Sequence, residues 1–406
     1  MVSKYNELDD EQQKNIFYIL DKAQKNVLNK FKKFEIKPGK NNTEFRENVL
    51  HGLMMEMIDF DFFLKSICQV DLEGNNTLFV YEPDDPTVFS DIRKKEVEAL
   101  SKQKKINIYD INVSDLDDIA LVNVEEDYDQ LIFSFVAPSF IVKEKSVNSI
   151  PDVEKDLYFA YIILDFKNEH IVLSMHPTHN LYSICGVRKK RDFDSLANHF
   201  INYFKKEYFT FNYSDPEWIV DAISEITEDH YDHNNPIITK KMVEFEKEQL
   251  QKVVNAFAEL EETFKSGPAN LRITKSIREQ YELHLIGKYG SVPKDTPFKI
   301  FLNESGKGIT SFKADSRGTA LNFADSYEIV KKMVENADIS SIGITYVHNG
   351  NQYHYKLFKE PTYYSLKRVT TAVTKKEIVD NVLCQLKKYQ SGTEFTNTSE
   401  EAKDNQ

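Results

Sequence analysis

Cysteine, glycine, arginine and long apolar runs are all scarce in this chain, and each scarcity removes a class of protein. The three cysteines, Cys68, Cys185 and Cys384, stand more than a hundred residues apart and form no C-x-x-C pair. That spacing excludes a disulfide framework and a cysteine-built zinc knuckle. Cys185, in Tyr182-Ser183-Ile184-Cys185-Gly186, would be a nucleophile only if a histidine approached it; a small buried hydrophobe is the simpler expectation. Glycine numbers 13 in 406 residues, few for an enzyme built on phosphate loops. Eight of the 52 basic residues are arginine, which leaves few bidentate forks for phosphate or guanine. No apolar run approaches the roughly 20 residues that span a bilayer, so no membrane partner is expected. Residues Met1 to Asp10 are polar and acidic where a secretory leader would be apolar, which predicts an intracellular, cytoplasmic protein.

What the chain does have is apolar material, 41% hydrophobic with 12% aromatic, enough for one large core or two to three ordinary domains. Charge is uneven. Residues 1–150 carry 19 basic and 28 acidic groups, 151–290 carry 17 and 23, 291–390 carry 15 and 10, and 391–406 carry 1 and 4. These sum to the formal net charge of −13. The molecule as a whole should therefore repel polyanions at long range, and the basic stretch 291–390 stands apart.

Hydrophobic spacing predicts an α+β protein. Ile16, Phe17, Leu20, Ala23, Val27, Leu28 and Phe31 form a helical stripe over Asp9 to Phe34, and a second helix runs from Thr43 through Val49, Leu53 and Met57. From Thr77 the period changes to two. Strands are expected at Leu78 to Tyr81, Ile119 to Val124, Gln130 to Val142, Leu157 to Phe166 and His170 to Met175, the last two flanking the hairpin turn Lys167-Asn168-Glu169. Helices are expected at Ser90 to Lys105, Asp192 to Lys206, Ser214 to Asp229, Thr239 to Lys265 and Thr274 to Lys288. In the fourth of these Val243, Leu250, Phe257 and Phe264 repeat every seven residues. Strands at Phe298 to Leu302, Ile309 to Phe312, Ile342 to His348 and Tyr353 to Phe358, the last pair across Asn349-Gly350-Asn351, combine with helices at Ser326 to Asn336 and Thr374 to Tyr389. The expected layout is a mostly antiparallel sheet with packed N-terminal helices over 1–186, a helical middle section over 187–290, a small basic α+β domain over 291–390, and a disordered tail over 391–406.

Four patterns carry candidate chemistry. Pro151-Asp152 followed by Asp165-Phe166-Lys167, at the end of a hydrophobic strand, resembles the PD-(D/E)xK nuclease signature. The resemblance implies Asp152 and Asp165 as Mg²⁺ ligands and Lys167 as the catalytic lysine that positions the attacking water. His176-Pro177-Thr178-His179 and His230-Tyr231-Asp232-His233 offer paired histidines for a transition metal, though neither has the i, i+4 helical spacing and glutamate of a zinc motif. Ser305-Gly306-Lys307-Gly308 lacks the phosphate-loop spacing and is expected as a hairpin turn. The fourth is basic: Arg188-Lys189-Lys190-Arg191 is the densest cationic run, and Lys356, Lys359, Lys367 and Arg368 mix with Tyr353, Tyr355, Phe358, Tyr363 and Tyr364 as in single-strand binders.

Since no triad spacing or cofactor fingerprint stands out, a binding role is expected over catalysis. The leading expectation is a subunit that docks a partner protein in a nucleic-acid-associated assembly, with residues 291–390 as the nucleic-acid contact. The alternative is the Mg²⁺-dependent nuclease.

Overall fold

The computed structural model describes residues 4–143, 152–190, 193–292, 296–305, 313–315 and 339–391. They build an α+β fold whose strands pair antiparallel. The chain divides into two compact units, one made of residues 1–217 and 355–387, the other of 218–354 and 388–406. Expected features at Arg191, Pro151, Ile309 to Phe312, Ser326 to Asn336 and beyond Ser391 lie outside the described residues.

The first unit opens with α1 (Asp10–Lys22), α2 (Lys25–Lys30), α3 (Asn42–Met54) and α4 (Phe60–Ile67). Asp9 caps α1 through a reciprocal box, accepting from the Gln12 backbone N–H at 2.8 Å while its own N–H donates to the Gln12 side chain at 3.1 Å. The single helix expected to Phe34 is two helices, because Ala23 and Gln24 are extended. Period-3.6 spacing survives the break, since Val27, Leu28 and Phe31 return to the same core as Ile16 and Leu20.

β1 (Thr77–Tyr81), α5 (Asp91–Lys104), β2 (Ala120–Asp127), β3 (Gln130–Lys143), β4 (Asp152–Asp165), β5 (His170–Met175), β6 (Leu181–Ile184), β7 (Val187–Arg188) and α6 (Asp194–Glu207) follow. The sheet of this unit runs β7-β6-β3-β4-β5-β1, with β2 on the same edge of β3 as β6. Alternation along β4 explains why its apolar run is continuous. Tyr158, Ala160, Ile162 and Leu164 enter one core with Phe133, Phe135 and the α6 residues Leu196, Phe200 and Phe204, whereas Leu157, Phe159 and Tyr161 enter the other with the N-terminal helices. A strand covered on both faces has no polar side to show. The expected N-terminal helix layer is therefore present, and α6 covers the opposite face.

Turn chemistry closes the hairpins. Cys185 and Gly186 both have positive φ between the paired residues Ile184 and Val187, the backbone of a two-residue primed turn. The cysteine is thus a turn residue. Lys167 to Glu169 turn the chain between β4 and β5, whose last pair is Asp165 with His170.

The second unit holds α7 (Trp218–Tyr231), α8 (Pro236–Glu248), α9 (Leu250–Leu260), α10 (Gly267–Tyr289), β8 (Phe298–Ser305), β9 (Lys313–Asp315) and β10 (Ile339–His348). β8 pairs with β10 and β9, and α7 packs on β8 and β10. Asn235 caps α8 by accepting from the Ile237 N–H at 3.0 Å, with Pro236 at the first helical position. The one long helix expected over Thr239 to Lys265 divides at Gln249, and its heptad positions are not a buried seam: Val243 and Phe257 are exposed.

The remaining elements are β11 (Asn351–Lys359), β12 (Tyr364–Arg368) and α11 (Lys376–Ser391). β12 is not among the expected strands. It pairs with β1, Thr77 opposite Lys367 and Phe79 opposite Ser365, and β11 pairs on its other side. Residues 194–207 supply core to the first sheet, and residues 355–387, two strands and most of α11, belong to the same compact unit.

Candidate binding cleft

Asp152 and Asp165 stand at opposite ends of the same 14-residue strand. At about 3.3 Å per residue they are roughly 43 Å apart and cannot share an ion. Asp165 is 3% exposed and saturated with donors. It accepts from the backbone N–H groups of Lys167 (3.1 Å) and Asn168 (2.9 Å), from the Asn168 side chain (2.9 Å) and from Gln130 (2.9 Å), while His170 Nε2 lies at 3.7 Å. Burial pushes its carboxyl up, but His170 and these hydrogen bonds outweigh burial and leave it below the usual range. It caps the β4–β5 turn. Lys167 is exposed on that turn and Asp152 is exposed at the far end. The residues implied by the nuclease resemblance do not form an ion site, and Mg²⁺ has no fit there.

Three of the four paired histidines are likewise engaged locally, and His179 is exposed. His176 Nδ1 meets Asn76 Oδ1 at 3.0 Å; the Ile300 N–H donates to His230 Nδ1 at 3.4 Å and the Asn235 N–H to His233 Nδ1 at 2.9 Å. Among the described residues no group of three or more His, Cys, Asp or Glu side chains is arranged to hold a metal. Burial pushes the thiols of Cys68 and Cys185 up to about 12, opposite to what a nucleophile requires.

The basic residues divide by face. In β11 and β12, Lys356 and Lys367 are register partners on one side of the sheet, whereas Arg368 and Tyr355 pair on the other. Arg368 is buried, donating to Thr374 Oγ1 at 2.7 Å with its guanidinium 5.0 Å from the Tyr355 ring centre. Lys359 pairs with Asp215 at 2.6 Å. Arg188 lies over the Tyr182 ring at 5.0 Å, and Lys190 is exposed. Tyr355, Tyr363 and Tyr364 are core residues rather than exposed stacking platforms. The expected basic residues that are described thus face different ways: Arg368 is buried, Lys359 is ion-paired, and Lys356 and Lys367 share one side of the sheet.

Two of them do converge. Lys189, just after β7, and Lys367, on β12, line a cleft of about 750 Å³ in the first unit. Its floor is one face of β1, β12 and β11, where alternation and register place Thr77 and Phe79 beside Lys367 and Ser365, with Phe358 opposite Ser365. One wall is the Pro177-Thr178-His179 loop together with Phe193 and Asp194 at the start of α6; Glu360 and Thr371 complete the rim. The Lys189 ammonium donates to the Thr178 carbonyl at 3.3 Å and sits 4.7 Å from the Phe193 ring centre, which fixes its position. Burial lowers its pKa, and the like charge of Lys367 lowers it further.

Sequence reasoning names both lysines but not their meeting, nor Phe79, Phe193 and Phe358. The sole local signal was the alternation in Tyr364-Ser365-Leu366-Lys367-Arg368, which marks a short strand. The sequence matches no protein-family model and no curated protein. Among the described residues no helix is long and apolar enough to cross a membrane.

Proposed function

We propose that this protein is a binding subunit that docks a partner protein by holding a segment of it in the Lys189–Lys367 cleft. The observation that carries the reading is the cleft's mixed lining: three phenylalanines, two lysines, and the carboxylates Asp194 and Glu360 around one concavity. Its volume falls within the range of roughly 300–1,000 Å³ typical of ligand sites. Side chains of both signs around an apolar floor suit a peptide, which presents amides, apolar groups and charges together. A polyanion would instead meet Asp194, Glu360 and a molecule of net charge −13. The burial of Tyr355, Tyr363 and Tyr364 also removes most of the stacking surface on which a single strand would depend.

The test is selection from a displayed random-peptide library on the immobilised full chain. Enriched peptides should bind in solution and weaken about tenfold or more with Phe358→Ala or Lys367→Glu, a loss typical of a hot-spot contact. Selected peptides that bind both variants as well as wild type would remove the cleft from the reading. A labelled single-stranded oligonucleotide that binds with steep salt dependence, and loses binding in Lys367→Glu, would replace the partner protein with nucleic acid.

A further inference from the structure

We infer that the Lys189–Lys367 corner of the cleft seats a phosphoryl group borne on a side chain of the docked segment. This rests on the reading of the cleft as a peptide site and narrows it to phosphorylated partners. Among the described residues, neither ammonium has a carboxylate within ion-pair distance, although Asp194 and Glu360 line the same cleft. Among the described residues the corner thus holds two like charges close enough to repel, with no carboxylate ion-paired to either. A group placed there gains from both lysines at once.

The chemistry of that group follows from the corner's other members. Lys189 is tethered to the Thr178 carbonyl and the Phe193 ring, so its remaining N–H donors have a set direction. Thr77 lies directly opposite Lys367 across β1–β12, and Ser365 is its same-face neighbour on β12, which adds two hydroxyls to the corner. A carboxylate carries one charge and two acceptor atoms. A phosphoryl group carries about −1.5 to −2 at neutral pH and three acceptor oxygens, matching two ammoniums and a hydroxyl. Lysine serves such groups as a point charge, without the bidentate geometry that arginine would impose. Asp194 and Glu360 line the same cleft and would repel further phosphates, which favours a single phosphoryl on a peptide over a chain of phosphates.

The experiment compares two fluorescent degenerate peptide pools, identical except for a central phosphoserine or serine, by anisotropy against the full chain at about 150 mM salt, where exposed long-range charge is screened. The phosphorylated pool should bind about tenfold tighter, the size of one charge-assisted contact. In Lys189→Gln and Lys367→Gln that advantage should fall to about threefold or less. Phe358→Ala should weaken both pools alike, and inorganic phosphate should displace the phosphorylated pool. Lys367 is exposed, so its variant keeps the test valid even if Lys189→Gln disturbs the loop, which a thermal melt would report. Equal binding of both pools, still sensitive to Phe358→Ala, would overturn the phosphoryl seat and leave the peptide reading standing. Binding of neither pool would overturn both. A phosphate advantage untouched by either glutamine variant would overturn the assignment to this corner. Tighter binding of a single-stranded oligonucleotide than of the phosphorylated pool would overturn the protein source.

Discussion

His170 should make the first unit lose stability as pH falls from neutral toward 4. The imidazole is 1% exposed, at the start of β5, and its Nδ1 is buried with no hydrogen-bond partner among the described residues. Asp165 lies 3.7 Å from Nε2, and the Glu82–Lys387 ion pair, 2.8 Å long, contributes opposing charges nearby. Burial is the largest influence, and it holds the ring neutral, taking its pKa from the ordinary 6.5 down to about 4 against the pull of Asp165. The unfolded chain therefore takes up this proton near pH 6.5, and the folded chain only near pH 4. The stabilisation is complete above pH 6.5 and is lost as pH falls through this window. A gap of about 2.5 pH units amounts to about 3 kcal/mol, most of which is gone by about pH 4.5. Urea titrations followed by circular dichroism at pH 7.5 and 4.5, on wild type and His170→Gln, measure it. The variant starts from lower stability because a packed ring is removed, so the comparison is of slopes. Wild type should lose about 2–3 kcal/mol more than the variant across that range. Trp218, the only tryptophan, belongs to the second unit, and its fluorescence transition serves as an internal control. Parallel losses in wild type and variant, or an NMR titration of His170 centred near 6.5, would refute the reasoning.

Other outcomes follow from packing and burial. Lys376, 15% exposed, neutralises Asp380 at 2.7 Å and Asp127 at 3.3 Å. Lys376→Met should cost about 1–2 kcal/mol because two half-buried carboxylates lose their cation; recovery of much of that loss in the double variant with Asp380→Asn would confirm the cause, and no measurable loss would contradict it. Gly343→Ala would put a Cβ 2.5 Å from Leu302 Cβ and 2.6 Å from the Phe301 ring. It should destabilise the second unit by about 1–3 kcal/mol, read from Trp218 fluorescence in urea, and an unchanged midpoint would show that the strands yield freely. With thiols held up to about 12, Cys68 and Cys185 should resist iodoacetamide at pH 8 until denaturant is added. Mass-spectrometric labelling of native Cys185 at a free-thiol rate would count against its half-buried turn position.

The elements that could be read from sequence are those whose signal is local. β3, β4 and the turn between β4 and β5 follow from a long apolar run interrupted by Lys167-Asn168-Glu169, and the α5 helix follows from its own spacing. The α1–α2 break was hidden because two residues of extended chain left the apolar stripe in phase. β12 escaped because five residues carry little pattern, and its partner β1 lies at the other end of the chain. The cleft depends on the same distant pairing, so Lys189 and Lys367 could be named separately and not as neighbours. The nuclease resemblance fails for the converse reason. Its spacing is plausible along the chain, but β4 is a single straight run that carries Asp152 away from Asp165 instead of folding back.

The register of Thr77 against Lys367 also sets a timetable for making the protein. A ribosome finishes β1 long before it reaches β12, and the whole second unit apart from its tail is translated in between. At about 5–20 residues per second the wait is on the order of 15–60 s. Throughout it, one edge of β1 stays open, its amides available to any passing chain. A nascent molecule truncated near residue 354 would leave the ribosome with that edge unsealed. Such fragments should be the form of this protein that chaperones retain and that aggregates when they fail.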